Sequence, residues 1–406
     1  MKDSSKVTKI INSLKSGIVP SENFREFLVG RDDEKKELNR ILDNIQSDVG
    51  SIKFITGAYG SGKSSLLKYV MEYGGNNNFL ISKISLDRGF KFYKLEELYY
   101  HIMHGLYYKG KNVSFDDLFT IWLDKVKEDK NNKPYNYINN LIKEITTYNE
   151  SFGRVFFSYI RAKISNSEEE MKVMSSWLSG EPNIPYKIKE KYGIKGSIDR
   201  NNSVDYLKCF CTLIEILGFS GMVILIDEVD VLLDERSDLR QKSFVGVKGF
   251  IDMTVNSEFK NCGLIFSGGE RFFVDDKGVK TYEALMQRLS YTEFTEKAGL
   301  MDYKKPVMWL RNIDLDSYYN LGEMIYTIYS SINDINLKIS VPSVVNWVFL
   351  EYKKGKREFR DLTIRDFLIK YMEILDIISQ NPENKIYTYE LEASYNGREM
   401  KFKNRL

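Results

Sequence analysis

The chain has 406 residues, enough for two domains or for one large domain carrying an insertion. Its 59 Lys and Arg against 57 Asp and Glu leave a formal net charge of +2, so no global basic field points to nucleic acid, and only a local patch stays open. Three cysteines (Cys209, Cys211, Cys262) make no disulfide framework and are expected to be reduced, buried and cytosolic, and no apolar run reaches the ~18 residues of a membrane span.

In chain order, MKDSSKVTKIINSLKSG is too polar for a signal peptide, and KVTKIINSLKSG (6–17) predicts a short amphipathic helix closed by Gly17. ENFREFLVGRDDEKKELNRILDNI predicts a helix from near Glu34, capped by Asp32 or Asp33, with an acidic first turn that suits its dipole. SIKFIT reads as a strand, SSLLKYVMEYG as a helix ending at Gly74, and NFLISKISLDR (78–88) as a second strand.

The next strongly apolar strand is GMVILI (221–226), a gap far larger than two strand–helix units require. KLEELYYHIMHGLYY, FDDLFTIWLDKVKED, YNYINNLIKEITTYN, SFGRVFFSYIRAKI and EEEMKVMSSWL fill it with helical patterns, so a helical insertion is expected at about 90–200. His101 and His104 lie one helical turn apart there with no carboxylate or thiolate partner visible, so no metal site is expected. GEPNIPYKIKEKYGIKGSIDRNNS reads as a loop, SVDYLKCFCTLIEILGF as a helix and NCGLIFSGG (261–269) as a buried strand. Beyond about 310 the pattern is helical, and KIYTYELEASYNGREMKFKN alternates around Asn396-Gly397 as a hairpin would. The expected fold is α/β: a three-layer core around a parallel sheet over 1–300, a helical lid over 301–380, and a hairpin over 381–406.

Two motifs carry chemistry. TGAYGSGKSSLL (56–67) fits G-x-x-x-x-G-K-[ST] between a strand and a helix, the P-loop pattern. Its glycines let backbone N–H groups of Gly57, Ala58, Tyr59, Gly60, Ser61 and Gly62 face phosphate oxygens, at a helix N-terminus that also holds Ser65. Lys63 is placed to reach β- and γ-phosphates, and the Ser64 hydroxyl to bind Mg2+. GMVILIDEVDVLL (221–233) reads as a buried parallel strand ending in two acids. Asp227 would help hold Mg2+, and Glu228 would orient and deprotonate the attacking water. Asp230 and Asp234 read as solvated surface groups.

Further candidates stay open between two roles. Ser267 either touches the γ-phosphate or its water, or is a turn serine. Arg288 either acts as an arginine finger on a neighbouring subunit or is a solvated or ion-paired arginine. Of Arg357, Arg360 and Arg365, the last is favoured for the γ-phosphate because it opens a helix. The basic stretches KVKEDKNNK and GREMKFKNR read either as solvated charged faces or as a basic surface for duplex DNA.

Together these pieces resemble the AAA+ branch of P-loop ATPases, in which FLVGRDDEKKEL resembles the box that packs near the adenine, bringing Val29 and Gly30 to the nucleotide. IINSLKSGIVP, SSWLSGEPN, KYGIKGS, GFSGMVILIDEVD, GGERFFVDDKGVKTYEALMQRL and LTIRDFLIKYMEIL occur in that order. The succession, from about 9 to 378, resembles the ATP-binding family of BREX phage-defence systems, BrxC and BrxD, and a single-module chain is most similar to BrxD. The resemblance implies a cytoplasmic bacterial ATPase using ATP/ADP and Mg2+, homo-oligomeric, meeting double-stranded DNA and other BREX proteins, with no membrane partner. Two other readings stay open: a DNA-loading, replication-initiator-like ATPase, and a nucleotide-switch scaffold that hydrolyses little. Glu228 argues against the scaffold.

Overall fold

The chain alternates buried β-branched runs with amphipathic segments, and among the described residues the runs assemble into one seven-stranded sheet, in the order Lys111–Asn112, Leu106–Tyr108, Leu80–Ser85, Met222–Asp227, Cys262–Gly268, Ser51–Gly57, Val307–Leu310. A computed structural model describes residues 4–20, 24–128, 134–289, 301–333, 340–354 and 362–381. The strands are β1 (Ser51–Gly57), β2 (Leu80–Ser85), β3 (Leu106–Tyr108), β4 (Lys111–Asn112), β5 (Met222–Asp227), β6 (Cys262–Gly268) and β7 (Val307–Leu310). β2, β5, β6, β1 and β7 run parallel; β3 and β4 add antiparallel to the β2 edge.

Side chains alternate across the parallel strands, as the two-residue strand period demands. Phe54, Ile224, Ile226, Leu264 and Phe266 join the larger core, which also takes in the helices of the 90–220 region. Ile55, Val223, Leu225 and Ile265 face the opposite core, under the helices Asp32–Gln46 and Lys63–Asn76. Helices therefore cover both faces, which a fully buried strand such as β5 requires, and the architecture is the expected three-layer α/β/α arrangement. Lys53, on β1, is buried and held by Glu37 Oε1 at 2.8 Å and by the carbonyls of Tyr303 at 2.7 Å and Lys305 at 2.6 Å.

Three local expectations change. The pattern KLEELYYHIMHGLYY stops being helical at His104. Gly105 lies so close to β2 that a Cβ there would sit 2.6 Å from the Lys83 carbonyl, and Leu106–Tyr108 turns back through Lys109 (φ 45°) and Gly110 (φ 87°) as a tight hairpin. The region expected to be a helical insertion thus also extends the sheet. The expected loop after Glu181 contains a short helix, Tyr186–Lys191. The helix at 32–46 begins at Asp32 without a side-chain cap; Asp32 and Asp33 instead pair with Lys35 and Lys36. The first helix, Ser4–Lys15, does not pack on the sheet: Ile10, Ile11 and Leu14 join Tyr318, Leu321, Val345, Phe367 and Leu368 of the helices Leu315–Ser330, Val341–Lys354 and Ile364–Gln380 in a separate core. The hairpin expected at 381–406 lies outside the described residues apart from Asn381.

Cys209, Cys211 and Cys262 are free thiols and buried. No described helix is long and apolar enough to cross a membrane.

Candidate nucleotide site

β1 ends at Gly57, and the chain turns through Ala58–Gly62 into a helix whose first residue is Lys63. Gly60 (φ 83°) and Gly62 (φ 99°) take left-handed backbone angles that any side chain would strain. Leu66, Leu67 and Val70 bury the helix's inner face, each contributing about 1.5–3 kcal/mol by removal from water. The N-terminus is thereby fixed over the carboxyl ends of β1 and β5. Lys63 Nζ donates to the carbonyls of Gly57 at 2.9 Å and Ala58 at 3.0 Å, so its ammonium curls over the loop.

Asp227 ends β5 and is buried, and the Ser64 hydroxyl donates to its Oδ2 at 3.4 Å. Glu228 follows with φ 63°, a left-handed angle that is uncommon for a non-glycine residue and turns the chain at the strand end. Burial pushes the Glu228 carboxyl above the usual glutamate value, Asp227 and Asp230 push it further, and Lys63 opposes them. Burial lowers the Lys63 ammonium, against the charges of Asp230, Glu228, Asp227 and Glu270.

Asp227 is buried beside Ser64 and is not part of the cleft lining, whereas Lys63, Ser64 and Glu228 open onto a cleft of about 1460 Å3. Its lining includes Gly57, Ala58, Tyr59, Gly60, Gly62, Lys63, Ser64 and Ser65, the acids Glu228, Asp230 and Glu270, and Ile364 and Arg365. The separate helical core closes one side: the Arg365 N–H donates to the Gly60 carbonyl at 3.3 Å, and its guanidinium lies 5.3 Å from the Tyr59 ring centre. A Cβ on Gly60 would come 2.7 Å from Arg365 Cβ, so glycine there is needed for the helix Ile364–Gln380 to reach the loop.

The other expected site residues fall outside the cleft lining. Ser61 is buried under the loop, with its Oγ lacking a hydrogen-bond partner. Ser267 is fully buried; register places it beside Asp227, since Ile226 pairs with Phe266, and its hydroxyl also lacks a partner. Val29 packs against the separate helical core, and Gly30 turns beside Ser317; the preceding Phe24–Leu28 line the cleft in their place. Arg288 Nε pairs with Asp252 Oδ1 at 3.0 Å. Arg357 and Arg360, and the side chains of KVKEDKNNK and GREMKFKNR, lie outside the described residues.

Two residues escaped the sequence reading. Arg31 is buried, donating from Nη1 to Glu34 Oε1 and from Nη2 to the Ser61 carbonyl, both at 2.9 Å, so it braces the loop from beneath. Asp230, expected to be solvated, lines the cleft and accepts from the Gly269 N–H at 2.7 Å. An arginine opening an acidic helix, and paired glycines after a neighbouring strand, are the signals that could have found them.

The donors suit Mg2+. A hydroxyl and a carboxylate stand close together at a helix N-terminus, and that ion takes one or two protein oxygens together with phosphates and waters. Among the described residues no cluster of three or more His, Cys, Asp or Glu forms a metal cage; His104 does meet a carboxylate, Glu181, at 3.2 Å.

Among solved structures, the chain is similar to the Aeropyrum pernix ORC1 protein in complex with DNA, at 12% identity and a TM-score of 0.36 over 95% of this chain and 69% of that one. It is also similar to the Aeropyrum pernix ORC2 protein in ADPNP–ADP complexes, at 11% identity and a TM-score of 0.37 over 89% and 71%. No curated protein sequence matches it. The family described as BREX system ATP-binding protein BrxC/D matches residues 3–391. The match spans nearly the whole chain and takes in both the P-loop and the acids of β5, and the chain belongs to this BrxC/D family.

Proposed function

We propose that this chain binds ATP with Mg2+ in the P-loop cleft and hydrolyses it to ADP and phosphate, as a cytoplasmic component of a BREX anti-phage system. Membership of an ATP-binding family supports the nucleotide, and one observation carries the chemistry: Ser64, Asp227 and Glu228 converge beside the lysine of the loop. Backbone N–H groups of residues 57–62 and the ammonium of Lys63 would bind the phosphates. Ser64 and Asp227 would hold Mg2+, which when bound neutralises charge on the β- and γ-phosphates. Glu228 takes a proton from water as its oxygen bonds to the γ-phosphorus, and the bond to the β–γ bridging oxygen breaks toward ADP. A raised carboxyl basicity suits that task.

Arg365, whose backbone N–H meets the Gly60 carbonyl and which lines the cleft, is assigned to the γ-phosphate from the lid side. Arg288 is assigned to a neighbouring subunit's nucleotide in a homo-oligomer, whereas Ser267, fully buried and outside the cleft lining, is given no contact with the γ-phosphate. Within the family we read the chain as BrxD-like, with duplex DNA and other BREX proteins as partners. The test is equilibrium binding of a fluorescent ATP analogue with Mg2+. Wild type binds and Lys63→Ala does not; equal binding by both would remove the cleft from the account.

A further inference from the structure

Asp230 stands two residues beyond Glu228, on the turn that follows β5. Its Oδ1 accepts from the N–H of Gly269, in the loop after β6, at 2.7 Å. That approach depends on the glycines. A Cβ on Gly268 would lie 2.6 Å from Val229 Cγ2 and 2.9 Å from Asp230 Oδ1, and one on Gly269 would lie 3.4 Å from Asp230 Oδ2. The turn is anchored at its other end by the Val231 N–H, which donates to the Glu228 carbonyl at 3.0 Å. Between these anchors Glu228 holds its left-handed angle, a conformation that persists only where its surroundings impose it. Asp230, Glu228 and Gly269 all line the same cleft.

We propose that Asp230 is a positioning residue, which bonds to the Gly269 N–H to clamp the turn after β5 onto the loop after β6 and so hold the Glu228 carboxylate at the reacting end of the cleft. The proposal rests on the ATPase reading. It makes the Gly268-Gly269 pair part of the catalytic arrangement, as the space into which Asp230 fits. The clamp works through an accepting oxygen, so the amide of asparagine preserves it; a role for the negative charge itself would not survive that change.

The test compares Asp230→Ala, Asp230→Asn, Asp230→Ser and Gly268→Ala in the full chain, reading kcat for ATP and the Kd of a fluorescent ATP analogue. Asp230→Ala, Asp230→Ser and Gly268→Ala should lose about 10- to 100-fold in kcat, as a displaced catalytic group does, with Kd within about two-fold of wild type. Asp230→Asn should stay within about three-fold of wild type in both. Wild-type kcat in Asp230→Ala, or a loss in Asp230→Asn as deep as in Asp230→Ala, overturns the clamp, as does a Kd that weakens in step with kcat. If Asp230→Ala fails to fold, Asp230→Ser against Asp230→Asn decides by the same criterion. A wild-type protein that releases no phosphate defeats the ATPase reading and the clamp with it; an active wild type matched by Asp230→Ala defeats the clamp alone.

Discussion

The Ser64 hydroxyl lies 3.4 Å from Asp227 Oδ2, although 163 positions separate the two residues in the chain. Parallel β1 and β5, with β6 between them, bring the pair together at one end of the sheet. If this is where Mg2+ is held, chelation with EDTA stops phosphate release, and Ser64→Ala raises the Mg2+ concentration needed for half-maximal turnover by about 10-fold or more. Titration of ATPase activity with Mg2+ measures the shift; an unchanged midpoint removes Ser64 from the metal site.

Arg31 should matter to the loop without touching substrate. Its guanidinium and the Glu34 carboxylate are both buried, and the same cation holds the Ser61 carbonyl. Arg31→Ala leaves that carboxylate without its cation, at a cost of about 3–5 kcal/mol. Arg31→Lys recovers part of it, since one ammonium lacks the planar fork that serves both acceptors. Chemical denaturation gives both values; an Arg31→Ala protein as stable as wild type would show the pair to be dispensable.

The Glu228 carboxyl, raised by burial and by Asp227 and Asp230, must be deprotonated to accept a proton from water. Activity is therefore present above its pKa and lost as pH falls through it. The acid limb of kcat/KM should lie above the ordinary glutamate range. Asp230→Asn removes one of the charges that raise this group, so its kcat/KM limb moves to lower pH. A pH–rate profile with no acid limb above the ordinary glutamate range contradicts the assignment.

Arg288 pairs with Asp252 while partly exposed, and such a surface pair contributes about 0–1 kcal/mol to stability. Arg288→Ala should melt within a few degrees of wild type and bind ATP. In an oligomer it should hydrolyse ATP about 1,000-fold more slowly or worse. Mixing it with Lys63→Ala should partly restore turnover, because a mixed interface joins an intact loop to an intact arginine. A mixture that stays inactive, although both variants assemble with wild type, excludes a role across an interface.

What could be read in the sequence follows from how local each signal is. The loop 57–65 and the Asp227-Glu228 pair are contiguous motifs flanked by their own strand and helix, so pattern alone locates them. Arg31 and Asp230 escaped because their partners, Ser61 and Gly269, lie 30 and 39 positions away, and a charged residue without a visible partner reads as solvated. LYY (106–108) read as the tail of a helix because Leu and Tyr suit either structure; the Gly105 approach to β2 and the Lys109-Gly110 turn decided for the hairpin. The packing of Ile10, Ile11 and Leu14 with residues beyond 310 leaves no mark on their own periodicity, which asks only for some apolar partner.

The central claim is that ATP is hydrolysed in this cleft with Glu228 as the base, and phosphate release by Glu228→Gln tests it most directly. The amide keeps the side chain's size and cannot take a proton. Turnover should fall by about 100- to 10,000-fold while fluorescent ATP still binds as tightly as to wild type. A Glu228→Gln protein that releases phosphate at the wild-type rate would contradict the account.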